Sequence, residues 1–227
     1  MKLYHTPISP NSRRVWVALI EKNLPFELVE IHLDGDHLEP EFVAMNPFHR
    51  IPVLVDGDFT VVESLAILDY LETKYPAPVM LPKDAKDLAV VRMVELVTVN
   101  ELIPQIYPLS SEKMGWGTPE PQEIEKAKEK VNTVLKFFEG LLDDSLRDSS
   151  ASRPFFASND LTLADCVAGT VIPLMPLIGV SLDGYPKITA WCDRLMSRPS
   201  WQQTQFTEAD LAAFALRRQK FLAQAEV

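Results

Sequence analysis

The sequence predicts a chain in two halves, an α/β unit followed by an all-helical one, and three observations carry that prediction. Up to about residue 75, short segments with a two-residue apolar period interleave with helical stripes. Two proline clusters, Pro76-Ala77-Pro78 and Leu81-Pro82-Lys83-Asp84, then interrupt the chain. Beyond them the apolar residues recur at helical spacing.

Taken in order, Leu3-Tyr4 gives a first strand, and residues 11–22 give a helix with Val15, Ala18 and Leu19 inward. Phe26 to Leu33 alternates apolar with polar, the period of a half-buried strand, and Asp34-Gly35-Asp36 is turn chemistry. A short helix around Pro40–Met45 ends at Asn46-Pro47. Residues 51–55 and 59–62 flank Asp56-Gly57-Asp58, a strong hairpin signal. Ser64–Tyr75 closes the unit as a helix carrying Ile67, Leu68 and Leu71. A helical crossover favours a parallel strand pair, and the hairpin adds an antiparallel edge. This βαβαββα order is the thioredoxin-like arrangement. It assigns residues 1–77 to the α/β domain, 78–87 to a linker and 88–227 to the all-α domain.

In the second half, Lys86 starts a helix that Pro104 and Pro108 are expected to end or kink. Ser110–Pro119 reads as a loop around Gly115-Trp116-Gly117. Gln122–Asp143 is a long amphipathic helix with Val131, Val134, Leu135, Phe138 and Leu142 as its stripe. Asp143–Pro154 is a polar, Ser-rich loop. Residues 162–178 read as one apolar helix at the centre of the domain, opened by the capping-box form Thr162-Leu163-Ala164-Asp165. Tyr185–Arg198 and Glu208–Gln224 supply the last two helices.

Composition narrows the function. A net charge of −10 over 227 residues argues against a nucleic-acid or anionic-membrane partner, which needs a basic face. An anionic ligand then requires locally placed donors. The only two cysteines, Cys166 and Cys192, lack metal-ligand spacing and read as buried thiols in a reducing compartment. The four histidines, His5, His32, His37 and His49, lack it too, so no metal is expected. No leader and no membrane-length apolar run is read, and the expected location is cytoplasmic.

Three features of the first half point to one place. Thr6-Pro7-Ile8-Ser9-Pro10 breaks a strand and starts a helix, putting the Ser9 hydroxyl beside the positive end of a helix dipole, although Ser before Pro is also simply a good cap. Ile51-Pro52 opens a strand with a residue that cannot donate to the ladder. A cis peptide there would leave the Ile51 backbone free for an extended peptide; an edge strand with a trans proline is the alternative. Glu63-Ser64 stands where the fourth strand hands over to a helix. A carboxylate beside a helix start suits a zwitterionic amino-acid head, and equally an ordinary capped helix.

Together, Asn46-Pro47-Phe48-His49-Arg50-Ile51-Pro52-Val53-Leu54, Asp56-Gly57-Asp58 and Glu63-Ser64-Leu65-Ala66-Ile67 resemble the soluble glutathione S-transferases. The helical second half and the Thr162–Asp165 box agree, so the resemblance covers nearly the whole chain. It is most similar to the serine-type phi and theta classes, in which a serine four or five residues before the helix-1 arginine is the catalytic hydroxyl. Ser9 stands four before Arg13 and five before Arg14.

The resemblance implies that glutathione is the co-substrate. Glu63 and Ser64 would hold its γ-glutamyl head, and Ile51 before Pro52 would pair with the cysteinyl backbone. His37 and Arg50 would reach the glycine carboxylate, and Ile8 would touch both substrates. A hydrophobic electrophile would sit against Ile8, Tyr107, Met114, Trp116, Phe206 and Phe214. The implied partner is a second copy of the chain, with Phe48 as an aromatic key at the dimer interface. Ser12 is a rival hydroxyl, and His49 stands where the phi class commonly has glycine. The loop has no cysteine, which disfavours thiol-transfer chemistry. A glutathione-binding scaffold without turnover, or a glutathione-dependent peroxidase or isomerase, stays open beside conjugation.

Overall fold

The computed structural model describes residues 1–114, 117–142 and 153–225. Among these, four strands form one mixed sheet in the order β2-β1-β3-β4, with β1 Lys2–His5, β2 Glu27–Glu30, β3 Val53–Asp56 and β4 Phe59–Val62. Helix α1 (Pro10–Glu21) carries the chain from β1 to β2, which pair in parallel, whereas β3 runs antiparallel to both β1 and β4. Helices α2 (Pro40–Met45) and α3 (Ser64–Lys74) complete the thioredoxin-like unit.

The two-residue period of the strands divides the core. Leu3 and Leu54, paired across β1 and β3, join the apolar faces of α1 and α3 through Val15, Leu19, Ile67 and Leu71. The next pair, Tyr4 and Val53, points the other way, to Ile31 and Phe42 of α2. The hairpin turns where expected, with Gly57 at φ +66 between the paired Asp56 and Phe59.

One strand differs from the reading above. β2 covers only Glu27–Glu30 and is mostly exposed, with Leu28 at 36%. It lies at the sheet edge, where its alternation buries little.

The helical half begins at α4 (Ala85–Val97), whose Asp84 cap accepts from Lys86 N and Asp87 N. Pro104 and Pro108 do not end this run. A π-turn at Thr98–Leu102 leads into α5 (Ile103–Met114), with Pro108 inside it. The Ile103 N–H reaches Thr98 O, so the ladder is already offset when the chain meets Pro104. Further on, the Ser110 and Ser111 hydroxyls return to Ile106 O at 2.7 Å and Tyr107 O at 2.6 Å. Most of the expected loop before Gly115 is therefore helix. Helix α6 (Pro121–Leu142) buries the predicted stripe, and the expected polar loop lies for the most part outside the described residues.

The 162–178 segment is not one helix. Helix α7 (Leu163–Ala168) stops at Gly169, and a 3₁₀ stretch, Ile172–Ile178, carries Pro173 and Pro176. Two prolines in five residues remove the donors an α-helix needs. Gly169 is required by close packing: a Cβ there would lie 2.3 Å from Leu195 Cδ1 and 2.4 Å from Asp165 O. Helices α8 (Pro186–Met196), α9 (Pro199–Gln203) and α10 (Glu208–Ala225) follow.

Helix α1 joins the two halves. Fully buried Arg13 donates to Thr204 Oγ1 and to Trp201 O, both at 3.2 Å, while Trp201 Nε1 donates to Gly169 O at 2.8 Å. At the other end of α1, Glu21 takes a two-pronged ion pair from Arg198 at 2.6 and 2.8 Å. Burial of Arg13 away from any carboxylate pushes its guanidinium down to about 10.

Candidate functional site

Strand register decides which loops meet. Tyr4 pairs with Val53, Val53 with Val62, and His5 with Glu30. The exits of β1, β2 and β4 and the entry to β3 therefore lie at one end of the sheet. Ser9, Ile51, Glu63-Ser64 and the loop bearing His37 emerge there together.

Ser9 caps α1. Its Oγ accepts from Ser12 N at 3.3 Å and remains partly exposed. Because that bond uses a lone pair, the hydroxyl proton is left to donate elsewhere. Ser12 is placed differently: it is fully buried, and its Oγ accepts from Thr6 N at 3.4 Å.

The start of α3 is unusual. Glu63 holds φ +67 and gives no side-chain cap to the helix. A left-handed backbone at a non-glycine costs roughly 1–2 kcal/mol and is found most often at functional positions. Beneath it lies Ser64, whose Oγ receives Arg14 Nη1 at 3.5 Å. Arg14 is fully buried, and burial pushes it down to about 10 against the opposing pull of Glu95. Glu95, itself 1% exposed, is raised by burial and held by Arg92 at 2.8 Å.

The approach to β3 is built by Asn46. Its Nδ2 donates to Arg50 O at 2.7 Å, and its Oδ1 accepts from Phe48 N at 3.1 Å. His49 takes φ +56 in this loop, and the Ile51–Pro52 bond is cis. β3 begins only at Val53, so Ile51 stands outside the ladder. Arg50 is exposed at the same turn. His37 lies in the facing loop, where burial lowers its pKa, helped by the positive charges of His49 and Arg218.

Beside Ser9 opens an apolar cavity of about 410 Å³. Ile8 and Pro10, the two neighbours of Ser9, line it, together with Met114 and Phe206. Sequence reasoning missed Leu174, Met175 and Ile178 of the 3₁₀ stretch, and Leu211 of α10, which also line it. The spacing of Pro173 and Pro176 was the available signal that these residues leave a helical core. Tyr107 is 56% exposed and lines a separate groove with Pro108 and Glu123, and Phe214 lines a crevice with Thr6 and Arg217. Trp116 lies outside the described residues.

Both cysteines are buried and neither lines the cavity, burial pushing Cys192 up to about 12 and Cys166 well above the usual thiol range. Among the described residues no cluster of His, Cys, Asp and Glu could hold a metal ion, and no helix is long and apolar enough to cross a membrane.

A thioredoxin-like unit joined to an all-α unit, with an apolar cavity beside the first helix start, defines the class of this protein. Residues 3–79 match the glutathione S-transferase N-terminal domain, and residues 97–199 match its C-terminal domain. Glutathione S-transferase 3 of Zea mays is 32% identical over 213 residues, 90% of this chain and 92% of the relative. Glutathione S-transferase F6 of Arabidopsis thaliana is also 32% identical, over 89% of this chain and 98% of its own. Among solved structures, glutathione transferase F7 from Populus trichocarpa superposes with a TM-score of 0.76 at 30% identity, covering 89% of this chain and 96% of the other. The chain belongs to the glutathione S-transferase family.

Proposed function

We propose that the protein conjugates glutathione to hydrophobic electrophiles, with residues 1–77 binding the tripeptide and residues 88–227 framing the electrophile site. The observation that carries this reading is the place of Ser9: half-exposed, at the start of α1, between two residues that line the apolar cavity.

The energetics suffice without a general base. A free thiol near ~8.5 is only a few per cent ionised at neutral pH. Lowering it by roughly two units requires about 2.7 kcal/mol of preference for the thiolate. A charge-assisted hydrogen bond from Ser9 supplies roughly 1.5–3 kcal/mol, and the α1 dipole adds up to about 1. The free hydroxyl proton of Ser9 supports this role, and the burial of Ser12 argues against its rival. Glu63 receives the γ-glutamyl ammonium and Ser64 its carboxylate, while the Ile51 backbone pairs with the cysteinyl unit. Arg50 and His37 serve the glycyl end. Thiolate attack on an aryl halide forms the thioether and expels halide, the thiol proton leaving to solvent; attack on the carbon of an isothiocyanate gives a dithiocarbamate, whose nitrogen takes a proton back from solvent.

The homodimer belongs to the same proposal. Phe48 is 63% exposed, and Met93 and Leu96, one turn apart on α4, are 41% and 52% exposed. The deciding experiment is turnover with glutathione against aryl halides, isothiocyanates and hydroperoxides. Formation of the thioether from an aryl halide, or of the dithiocarbamate from an isothiocyanate, supports the proposal. Tight glutathione binding without turnover would make the protein a binding module, and turnover of hydroperoxides alone would make it a peroxidase.

A further inference from the structure

The middle turns of α10 meet the loop after β2. Arg217 and Arg218 line a crevice there with Thr6, His32, Leu33, Asp34 and Phe214. Arg217 faces Glu30, 3.9 Å away, and His32 also leans on Glu30 at 3.5 Å. Asp36 is engaged by His32 N at 2.9 Å. Arg218 pairs with no carboxylate among the described residues; its guanidinium lies 5.9 Å from the Phe221 ring centre. Its Nε is shut off from water without a hydrogen-bond partner, as are Nε of Arg217 and Nδ1 of His32 and His37, so what sets Arg218 apart from Arg217 is the missing carboxylate. In a chain of net charge −10, an unmatched arginine half-buried beside two histidines has electrostatic capacity left for an anion.

Sheet order says which anion. With glutathione bound as proposed above, its γ-glutamyl head lies at the start of α3, above β4 and β3, and its cysteine beside Ser9 at the exit of β1. Two strand spacings, about 10 Å, separate β4 from β1. Three extended residues reach about 10–11 Å. The glycyl carboxylate then falls at the exit of β1 and β2, beside the crevice lined by His32, Arg217 and Arg218, with Arg218 near enough to His37 for its charge to lower that ring's pKa. Burial lowers the pKa of His37, helped by the nearby positive charges of His49 and Arg218, and its ring can offer a hydrogen bond there.

We propose that Arg218 binds the glycyl carboxylate of glutathione together with His37, so that binding draws α10 onto the N-terminal domain. This rests on reading the cleft as a glutathione site. Helix α10 also contributes Leu211 to the apolar cavity, so one helix would touch both substrates.

Calorimetric titration of the full chain tests it with two probes, glutathione and its glycyl monoethyl ester, which lacks that one charge. Wild-type protein should bind the ester about tenfold more weakly than glutathione. Arg218→Gln should weaken glutathione by about tenfold and leave the ester unchanged, whereas Arg218→Lys should recover most of the loss. Arg217→Gln should change either affinity less than threefold, about 0.6 kcal/mol. Equal losses for both probes, or glutathione affinity unchanged in Arg218→Gln, would overturn the assignment. Hydrogen exchange on the wild type gives an answer independent of any variant. Glutathione should slow exchange across residues 212–222 and the ester should not; no slowing with glutathione counts against the proposal. A wild-type protein that binds neither probe would instead remove the glutathione reading itself.

Discussion

Helices α1 and α7 both begin with a hydroxyl residue, and the two starts are completed in different ways. At α7 the chain closes its own cap. Thr162 N and Thr162 Oγ1 both donate to Asp165 Oδ2 at 2.7 Å, and Asp165 Oδ1 accepts from Phe156 N at 3.1 Å and Trp191 Nε1 at 2.8 Å. Asp165 and Thr162 are buried. At α1 the Ser9 cap makes a single 3.3 Å bond and stays open to the surface. The difference teaches how to read a helix start. A cap whose donors and acceptors are all matched within the chain is structural, and one left with a free proton beside a cavity has something to offer a ligand.

The largest effect is expected at Asp165. Asp165→Ala leaves three buried N–H groups, of Thr162, Phe156 and Trp191, without an acceptor, each costing roughly 1–3 kcal/mol, while the Thr162 hydroxyl still reaches Phe156 O at 3.3 Å. We expect a loss of about 4 kcal/mol or more, a fall in Tm of roughly 10 °C, read by thermal denaturation. Ser9→Ala should do the reverse, lowering kcat/KM by about 10–100-fold while Tm moves by less than about 4 °C. The bound thiol should then titrate higher, by ultraviolet absorbance of the thiolate. If Ser9→Ala instead melts the protein with kcat/KM intact, the open cap is structural and the comparison collapses.

The same two regions differ in their response to pH. Burial pushes the Asp165 carboxyl from 3.8 up to about 6, so the folded state holds a proton that the unfolded chain releases. Its contribution to stability is fully present below 3.8 and is lost as pH rises through about 6. His5, on β1 just before the Ser9 loop, is buried against Trp16 and driven from 6.5 down to about 4. Its contribution is present above 6.5 and is lost as pH falls through about 4. The two slopes oppose each other in the wild type. His5→Phe keeps the ring contact and removes one of them, so the variant should lose stability on going from pH 4 to 6 where the wild type is flatter. Urea midpoints at several pH values would show it, and parallel profiles for the two proteins would sink it.

Much of this was legible because the signals are local. Asp56-Gly57-Asp58 names its own hairpin, Thr162–Asp165 its own helix start, and Ile51-Pro52 the break before β3. The sheet-end placement of Ser9, Ile51 and Glu63 followed from element order alone. What failed was non-local. Nothing in Phe26–Leu33 says that β2 is an edge strand, because burial is set by the strand order. The lining of the apolar cavity depends on a 3₁₀ segment and on α10, distant in sequence from Ser9. Arg217-Arg218 reads as an ordinary solvated pair until the fold brings it against His32 and His37.

Glu63 stands at a third helix start, one with no side-chain cap and a strained backbone. Glu63→Gly removes both the φ +67 penalty and the carboxylate. Net of the extra chain entropy that glycine loses on folding, stability should rise by about 0.5 kcal/mol while glutathione binding weakens by about tenfold. Retention on immobilised glutathione equal to wild type would take Glu63 out of the site.

The smallest effect is expected at His49, which shares the left-handed backbone of Glu63 without its proposed contact. Its φ is +56, and its ring nitrogen lies 3.3 Å from His37 O in an exposed pair. Glycine relieves roughly 1–2 kcal/mol of backbone strain but loses roughly 0.5–1 kcal/mol more chain entropy on folding. His49→Gly should therefore gain about 0.5 kcal/mol, a rise in Tm of about 1–2 °C, with glutathione affinity unchanged within about twofold. Removing the His49 charge also lifts one of the influences that lower His37, so the His37 resonance should titrate at a higher pH in the variant. A large loss of affinity would mean that strain at His49, like that at Glu63, serves the ligand rather than the turn.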